Sequence, residues 1–504
     1  MRTPGTEQRT GRGPEFTAPD VPLTALLDDA AARHPYRTAL VCSGRRTRYR
    51  ALRRASARFA AGLCALGVRR GERVALVLPN CPQFAVALYG TLRAGAVAVP
   101  VDAGRTGHAL RHRLAGSGAT VAVVHDGGYP AVAAVRGHTA LRHVITVRLH
   151  DALPRWRRLA LRAPLSRARA VRARLDPGLP ADADALPYRR LLSAAPPRRA
   201  PRGRVDPRTA ALLQYTAGTT GTPRAVVLSH RSLVANAHQV RAWWPGLREG
   251  RATVLSALPP TRPYGLTLGL NAGLLSGART VLLPDGDPGA LLRAARRWRP
   301  TLLPGVPALY EELLTRAPEE LEALGTLRCC PSGAGPLPPE TADRFRAATG
   351  LTPVEGYGLT EAAPVVLANP PNADARSGTA GLPLPGTEVR IVDEYDPSRV
   401  LAPGEAGELA VRGPQVCDGY WRDPAATARV LREGWLLTGD LCVRGPDGYV
   451  TVLGRVRQAQ HAQRAGRAQQ RREPREGTPA IPSSAGVTSR TGRSASPSPP
   501  PPRP

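Results

Sequence analysis

Arg73-Val-Ala-Leu-Val-Leu78, closed by Pro79-Asn80, is followed by a helical stretch from Phe84 to Arg93 and then by a second apolar run, Ala96 to Val101. Short apolar runs bounded by turn residues read as strands buried on both faces. A helix between two of them makes the β-α-β unit of a parallel sheet. On the C-terminal side, Thr120-Val-Ala-Val-Val124 and His143-Val-Ile-Thr-Val147 repeat the strand pattern. On the N-terminal side, Val21 to Ala61 carries apolar residues at helical spacing, among them Leu26, Leu27 and Leu52, around a strand at Ala39 to Val41. The expected fold is α/β, with parallel sheets flanked by crossover helices.

The chain has 504 residues, 42% of them hydrophobic and only 4% aromatic. That length exceeds one ordinary core, so several packed subdomains are expected, filled mainly by Leu, Val and Ala. Strand and helix signals resume at Ala210 and run to about Leu453. The expected organisation is a disordered N-terminus at 1–20, one body at 21–455 with an Arg- and Pro-rich insertion at about 155–204, and a disordered basic tail at 456–504. Gln458 to Arg475 has no apolar face and Pro497 to Pro504 is nearly all proline, so the tail buries too little to offset its ordering entropy.

A formal charge of +31 ordinarily points to a polyanionic partner. Here all 70 basic residues are arginine and none is lysine, beside 51 Gly and 53 Pro. Such a composition is what a GC-rich genome writes into any protein, so mutational bias is preferred and no nucleic-acid partner is expected. The arginine-dense segment 155–174 reads either as a basic amphipathic stretch touching an anionic membrane or as a solvated helix and linker, with the second preferred. The seven cysteines have no C-x-x-C spacing, which indicates neither a zinc site nor a disulfide framework. Met1 to Asp20 holds no apolar run, and Phe84 to Val101 is broken by Arg93, so neither a signal peptide nor a transmembrane segment is expected. A cytoplasmic protein follows.

The most informative chemistry lies in Leu213-Gln-Tyr-Thr-Ala-Gly-Thr-Thr-Gly-Thr-Pro-Arg224. Gly218 and Gly221 allow the backbone to turn its N–H groups inward, and Thr216, Thr219, Thr220 and Thr222 add hydroxyl donors. Such a nest suits phosphate oxygens. It lacks the G-x-x-x-x-G-K-[ST] spacing of a P-loop, and taken alone a Thr/Gly loop is more often a tight turn.

From Tyr215 to Pro223 this loop closely resembles the phosphate-binding signature of the AMP-forming acyl-CoA synthetases, the adenylate-forming family. Ala217 stands for the usual Ser, Arg224 for Lys and Ala225 for Gly. Glu355-Gly-Tyr-Gly-Leu-Thr-Glu361 resembles the family's Y-G-x-T-E element. That resemblance implies Tyr357 and Gly358 beside the adenine, Thr360 at the α-phosphate and Glu361 as a Mg²⁺ ligand. Ser332-Gly-Ala-Gly-Pro-Leu337 is similar to the turn whose small residues, here Gly333, Ala334 and Gly335, leave a slot for the base. Gly434-Trp-Leu-Leu-Thr-Gly-Asp440 and Gly454-Arg455 imply a ribose grip by Asp440 and Arg455. Between Glu361 and Gly434 lie Gly404 to Leu409 and Gly413-Pro-Gln-Val-Cys-Asp-Gly-Tyr420, in family order.

Leu258-Pro-Pro-Thr-Arg-Pro-Tyr-Gly-Leu266 resembles the segment lining the acyl pocket, which implies Arg262, Tyr264 and Gly265 there. Arg262 takes the place of a histidine and reads either as a partner for a polar or carboxylate-bearing substrate or as a side chain facing solvent, with the second slightly preferred. His230 is expected to serve a helix start or packing. The family resemblance implies a large multi-subdomain body with a smaller β subdomain. It also implies ATP, Mg²⁺ and coenzyme A as co-substrate, with a carboxylic acid activated as acyl-AMP and then as acyl-CoA. An acyl carrier protein is the alternative acceptor.

In that family a C-terminal lid follows G-R-x-x-D-x-I-K and supplies a lysine at the reacting carboxylate. Gly454-Arg-Val-Arg-Gln-Ala459 starts that motif and then loses it, and the chain contains no lysine. Loss of one preorganised cationic donor costs on the order of 10²- to 10³-fold in rate, so impaired turnover is expected. A lidless ATP-binding or regulatory protein is the alternative. A frameshift and a genuine truncation both account for the tail, and the DNA past the codon for Arg455 separates them.

Overall fold

The computed structural model describes residues 16–175, 177–194, 205–216, 223–284, 286–371 and 374–456. The tail expected at 456–504 lies outside the described residues except for Val456. Most of the expected disordered N-terminus does too. Residues 16–20 carry no helix or strand, yet Phe16 lies against Gly386.

The β-α-β reading holds. Arg73–Val77 pairs in parallel with Val97–Val101, and helix Pro82–Arg93 joins them, with proline in its first turn where no N–H is needed. Ala119–His125 then adds on the other side of Arg73–Val77, so the sheet grows both ways from its first strand. His143–Val147 and the short edge strand Leu186–Pro187 continue that side, whereas Ala210–Tyr215 and Ala225–Ser229 complete the other, giving seven strands. Every pairing is parallel except the last, a hairpin.

Successive side chains of a strand point to opposite faces, and both faces of this sheet are covered. Val74 and Leu76 join one apolar cluster with Phe59, Leu88 and Leu212. Ala75 and Val77 join another with Leu110, Leu114 and Val132. Helices Tyr49–Ala65 and Pro82–Arg93 cross so closely that a Cβ on Gly90 would sit 2.7 Å from Phe59 Cδ1.

A second sheet orders Thr253–Ser256, Arg279–Leu282, Thr38–Cys42 and Arg45–Arg48. Single bridges from Val254 to Leu302 and from Leu302 to Cys329, with another between Gly305 and Ser332, lead from it toward Pro331–Ser332. That short strand pairs in parallel with Val354–Gly358, which pairs antiparallel with Val365–Ala368. The smaller β subdomain is a five-stranded antiparallel sheet of Glu388–Val392, Ala406–Arg412, Leu431–Arg432, Trp435–Arg444 and Val450–Arg455. Two spans of predicted motif, Glu355–Gly358 and Leu437–Asp440, therefore sit on strands, which hold side chains more rigidly than loops do.

The Arg- and Pro-rich stretch contains helices Arg155–Ala160 and Ser166–Leu175. Leu186 to Ala194 then returns to the body, where Tyr188 and Leu191 are buried. Among the described residues, no helix is long and apolar enough to cross a membrane.

Candidate active site

The hairpin Ala210–Tyr215/Ala225–Ser229 carries the predicted phosphate loop at its tip. Gly218, Thr219, Thr220, Gly221 and Thr222 lie outside the described residues, but the neck of the loop is defined. Thr216 N donates to Arg224 O at 2.9 Å, and Arg224 N donates to Thr216 Oγ1 at 3.2 Å. The outer strand of this hairpin does not end as a bare edge. Val227 N donates to Gly419 O at 2.8 Å, Asp418 N to Val227 O at 3.1 Å, and Trp421 N to Ala225 O at 2.8 Å. Segment 418–421 thus runs along the edge strand and brings Tyr420 to the base of the loop. The Arg224 guanidinium lies 5.6 Å from the centre of the Tyr420 ring, and its Nε is 3.3 Å from Asp423 Oδ2.

Tyr420 in turn donates its hydroxyl to Glu361 Oε1 at 2.7 Å. The Glu361 carbonyl accepts from Cys417 N at 2.8 Å, so backbone and side chain both tie Glu361 to the segment that covers the hairpin. Burial, and then the Glu361 carboxylate, push the Tyr420 phenol far above its ordinary pKa, so it stays a donor. Thr360 opens the short 3₁₀ turn that sets Glu361 in place. Gly358 precedes it, where a Cβ would lie 2.2 Å from Pro364 O, so the backbone approach leaves no room for a side chain.

On the strand before that turn, Tyr357 donates its hydroxyl to Asp440 Oδ2 at 2.5 Å. Arg455 donates to the other carboxylate oxygen at 2.6 Å. The β subdomain sets this geometry, since Asp440 and Arg455 are directly paired across two antiparallel strands. The Asp440 backbone is held as well: Thr438 Oγ1 accepts its N–H at 3.1 Å, and Glu408 accepts the N–H of Gly439 at 2.7 Å. Burial and the Asp440 charge keep the Tyr357 phenol well above the ordinary tyrosine range. A carboxylate has about four lone-pair positions, so Tyr357 and Arg455 together leave acceptor capacity on both oxygens of Asp440.

The turn expected to flank a base is fastened to the same element. Leu337 N donates to Glu355 Oε2 at 3.2 Å. Within the turn, Gly333 lies against the Tyr264 ring, where a Cβ would approach to 3.1 Å, and Tyr264 donates to Pro331 O at 2.9 Å. Ala334 takes a left-handed φ of 65°. Next to it, a Cβ on Gly335 would meet nothing closer than Pro307, 4.0 Å away, so this position borders open space. The residues implied for base and for acyl pocket therefore meet at Gly333 and Tyr264. Gly265 has a packing reason of its own, because a Cβ there would fall 2.3 Å from Pro259 O. Arg262 is exposed, its guanidinium 3.9 Å from Asp102. His230 begins a helix capped by Ser229 and accepts the Leu23 N–H on Nδ1 at 3.1 Å, a packing role.

Sequence reasoning missed three participants: Tyr420, Asp423 and Thr438. Tyr420 and Thr438 sit inside stretches already singled out by resemblance, but nothing in the local pattern says that Tyr420 faces Glu361. Among the described residues, no three His, Cys, Asp or Glu side chains converge as a metal cluster. A lone carboxylate such as Glu361 suits Mg²⁺ nonetheless, because that ion is usually held by one or two carboxylates together with substrate phosphates and water.

Comparison with known proteins gives a consistent picture. Residues 27–421 match the family model described as AMP-binding enzyme. A long-chain-fatty-acid–CoA ligase of Bacillus subtilis (strain 168) is 34% identical over 442 residues, covering 88% of this chain and 78% of that protein. The enzyme of the same description from Salmonella typhimurium is 36% identical over 437 residues, covering 86% and 76%. Among solved structures, ATP-bound MatB from Rhodopseudomonas palustris superposes with a TM-score of 0.73 at 27% identity, covering 87% of this chain and 79% of that one.

Proposed function

The chain belongs to the AMP-forming acyl-CoA synthetases, the family of AMP-binding enzymes, and on that premise we propose that it activates a fatty acid with ATP and passes the acyl group to coenzyme A. In the first step a carboxylate oxygen attacks the α-phosphorus of ATP, the bond to the bridging oxygen breaks, and pyrophosphate leaves with acyl-AMP formed. In the second, the thiol sulfur of coenzyme A takes the acyl group, and AMP is released. The fatty-acid assignment rests on the relatives' substrates and on Arg262, whose charge is turned outward beside Asp102.

The observation that carries this reading is a pair of side-chain contact sets joined by the backbone of residues 357–361. One passes from Arg224 at the neck of the loop through Tyr420 to Glu361, and the other, four residues earlier, from Tyr357 to Asp440 and Arg455. Along these sets the loop hydroxyls and amides would take the phosphates, Thr360 the α-phosphate, and the remaining lone pairs of Asp440 the ribose hydroxyls. Tyr357 and the Gly333–Gly335 turn would flank the adenine. Mg²⁺, when bound at Glu361, supplies charge neutralisation for the departing pyrophosphate. The reading places the protein in the cytoplasm, with ATP and coenzyme A.

A second reading is favoured by one fact: these 504 residues contain no lysine. Where no ammonium group meets the attacking carboxylate, turnover would fall on the order of 10²- to 10³-fold. Its limit is a protein that binds ATP without turning it over. Pyrophosphate release with acids of increasing chain length, run beside calorimetry with ATP, tests both. Slow release that depends on a fatty acid supports the ligase. ATP binding with no release under any acid supports the second reading, and a folded protein without affinity for ATP or AMP overturns both.

A further inference from the structure

We propose that the excursion Arg155–Leu175 is a docking surface for an anionic lipid bilayer, a function independent of the nucleotide site. Nine large apolar side chains are exposed among the described residues, and four of them, Trp156, Leu159, Leu165 and Val171, fall in this one stretch. Trp156 is 65% exposed, Leu159 66% and Leu165 65%. The same stretch holds eight arginines and no Asp or Glu. Arg155, Arg162, Arg167, Arg169 and Arg172 are exposed, and the Arg157 guanidinium lies 5.1 Å from the centre of the Trp156 ring, so cationic and apolar groups share the surface of this one segment.

The stems of the excursion are firmly built. Ala152 and Leu153 are buried on one side, Tyr188 and Leu191 on the other. Arg189 clasps the two stems by donating to both oxygens of Asp151, at 2.6 and 2.5 Å. The segment leaves the seven-stranded sheet after His143–Val147 and rejoins it at the edge strand Leu186–Pro187. The hairpin bearing the predicted phosphate loop forms the opposite edge. Docking here would leave that hairpin away from the membrane.

The combination identifies the partner. Arginines alone would serve any polyanion, but Trp156 with Leu159, one helical turn apart, adds apolar groups that a phosphodiester backbone does not reward. A tryptophan and leucines interspersed with cations suit the boundary of headgroups and acyl chains, where the rings and chains enter and the cations meet phosphate and carboxylate headgroups. Exposed side chains of this kind suit a bilayer surface as well as the solvated helix and linker that the sequence pattern prefers, and the vesicle experiment decides between them.

The test is sedimentation of the full chain with vesicles of phosphatidylcholine, with and without phosphatidylserine, for the parent and for W156S/L159S and R162Q/R167Q/R169Q. The tail beyond Val456 is unchanged in every protein, so its charge is held constant. Binding is expected to require phosphatidylserine, to weaken with salt, and to drop on the order of tenfold in each variant, with ATP affinity and circular dichroism unaltered. A blue shift of tryptophan emission on vesicle addition should vanish in W156F. Equal binding by the parent and W156S/L159S, or equal binding to vesicles lacking phosphatidylserine, overturns the proposal. So does retention on DNA that R162Q/R167Q/R169Q abolishes and W156S/L159S does not, without vesicle binding.

Discussion

Tyr357 and Asp440, 83 positions apart in sequence, share a hydrogen bond of 2.5 Å in which the phenol donates and the carboxylate accepts. With Arg455 on the other oxygen, the carboxylate is fixed in orientation before any ligand arrives. Asp440→Ala should therefore weaken AMP and ATP binding on the order of 10- to 100-fold, since bonds to a charged acceptor are lost and Arg455 loses its carboxylate partner. Tyr357→Phe removes only the orienting bond and should cost a few-fold. Calorimetry with AMP ranks the two, and equal small effects would argue against a ribose grip at this carboxylate.

Glu361 and Tyr420 separate charge from positioning. Glu361→Gln keeps an acceptor for the Tyr420 hydroxyl but removes the anion, so the Mg²⁺ concentration for half-maximal pyrophosphate release should rise, with the maximal rate lower by on the order of 10²-fold. Tyr420→Phe keeps the anion and frees it, and should lower the rate less without moving the Mg²⁺ dependence as far. Initial rates across a Mg²⁺ titration read both effects.

Two glycines near the site should respond in opposite ways. At Gly358 an added methyl would collide with the Pro364 carbonyl, so Gly358→Ala should destabilise the fold by about 1–3 kcal/mol. At Gly335 the nearest atom is 4.0 Å away, so Gly335→Val should leave the melting temperature nearly unchanged while raising the KM for ATP. Thermal melts beside ATP kinetics separate the two outcomes.

His230 makes stability fall with acid. Burial lowers its pKa from 6.5 to about 4. Above pH 6.5 both folded and unfolded chains hold it neutral, and its stabilising contribution is fully present. Between 6.5 and about 4 the unfolded chain binds a proton that the folded one does not, so stability declines by about 3 kcal/mol across that window and then levels. His125 and His238, also lowered by burial, act in the same direction. Urea midpoints between pH 7 and pH 5 should show the decline, with a shallower slope in His230→Asn, whose side-chain oxygen can still accept from Leu23.

Much of the fold was legible because burial writes a periodic signal. The run Arg73–Leu78 announced a strand that spans Arg73–Val77, and His143–Val147 was recovered to the residue. Helix Phe84–Arg93 began two residues earlier than read, since Pro82 fits a first helical turn as well as it fits a loop. Short edge elements such as Leu186–Pro187 were hidden by the surrounding arginine and proline, because two residues carry no periodicity at all.

Sequence by itself determined the α/β class, the order of the buried strands and the identity of the motif residues, for these follow from local spacing and residue chemistry. Tertiary structure alone decided that segment 418–421 covers the hairpin edge, that Tyr420 meets both Arg224 and Glu361, and that Asp440 is held between Tyr357 and Arg455. It also decided that Trp156 and Leu159 stay outside the core. The physical reason is common to all of these: a pairing between residues tens or hundreds of positions apart leaves no mark on either local pattern, and it exists only once packing has fixed which surfaces face each other.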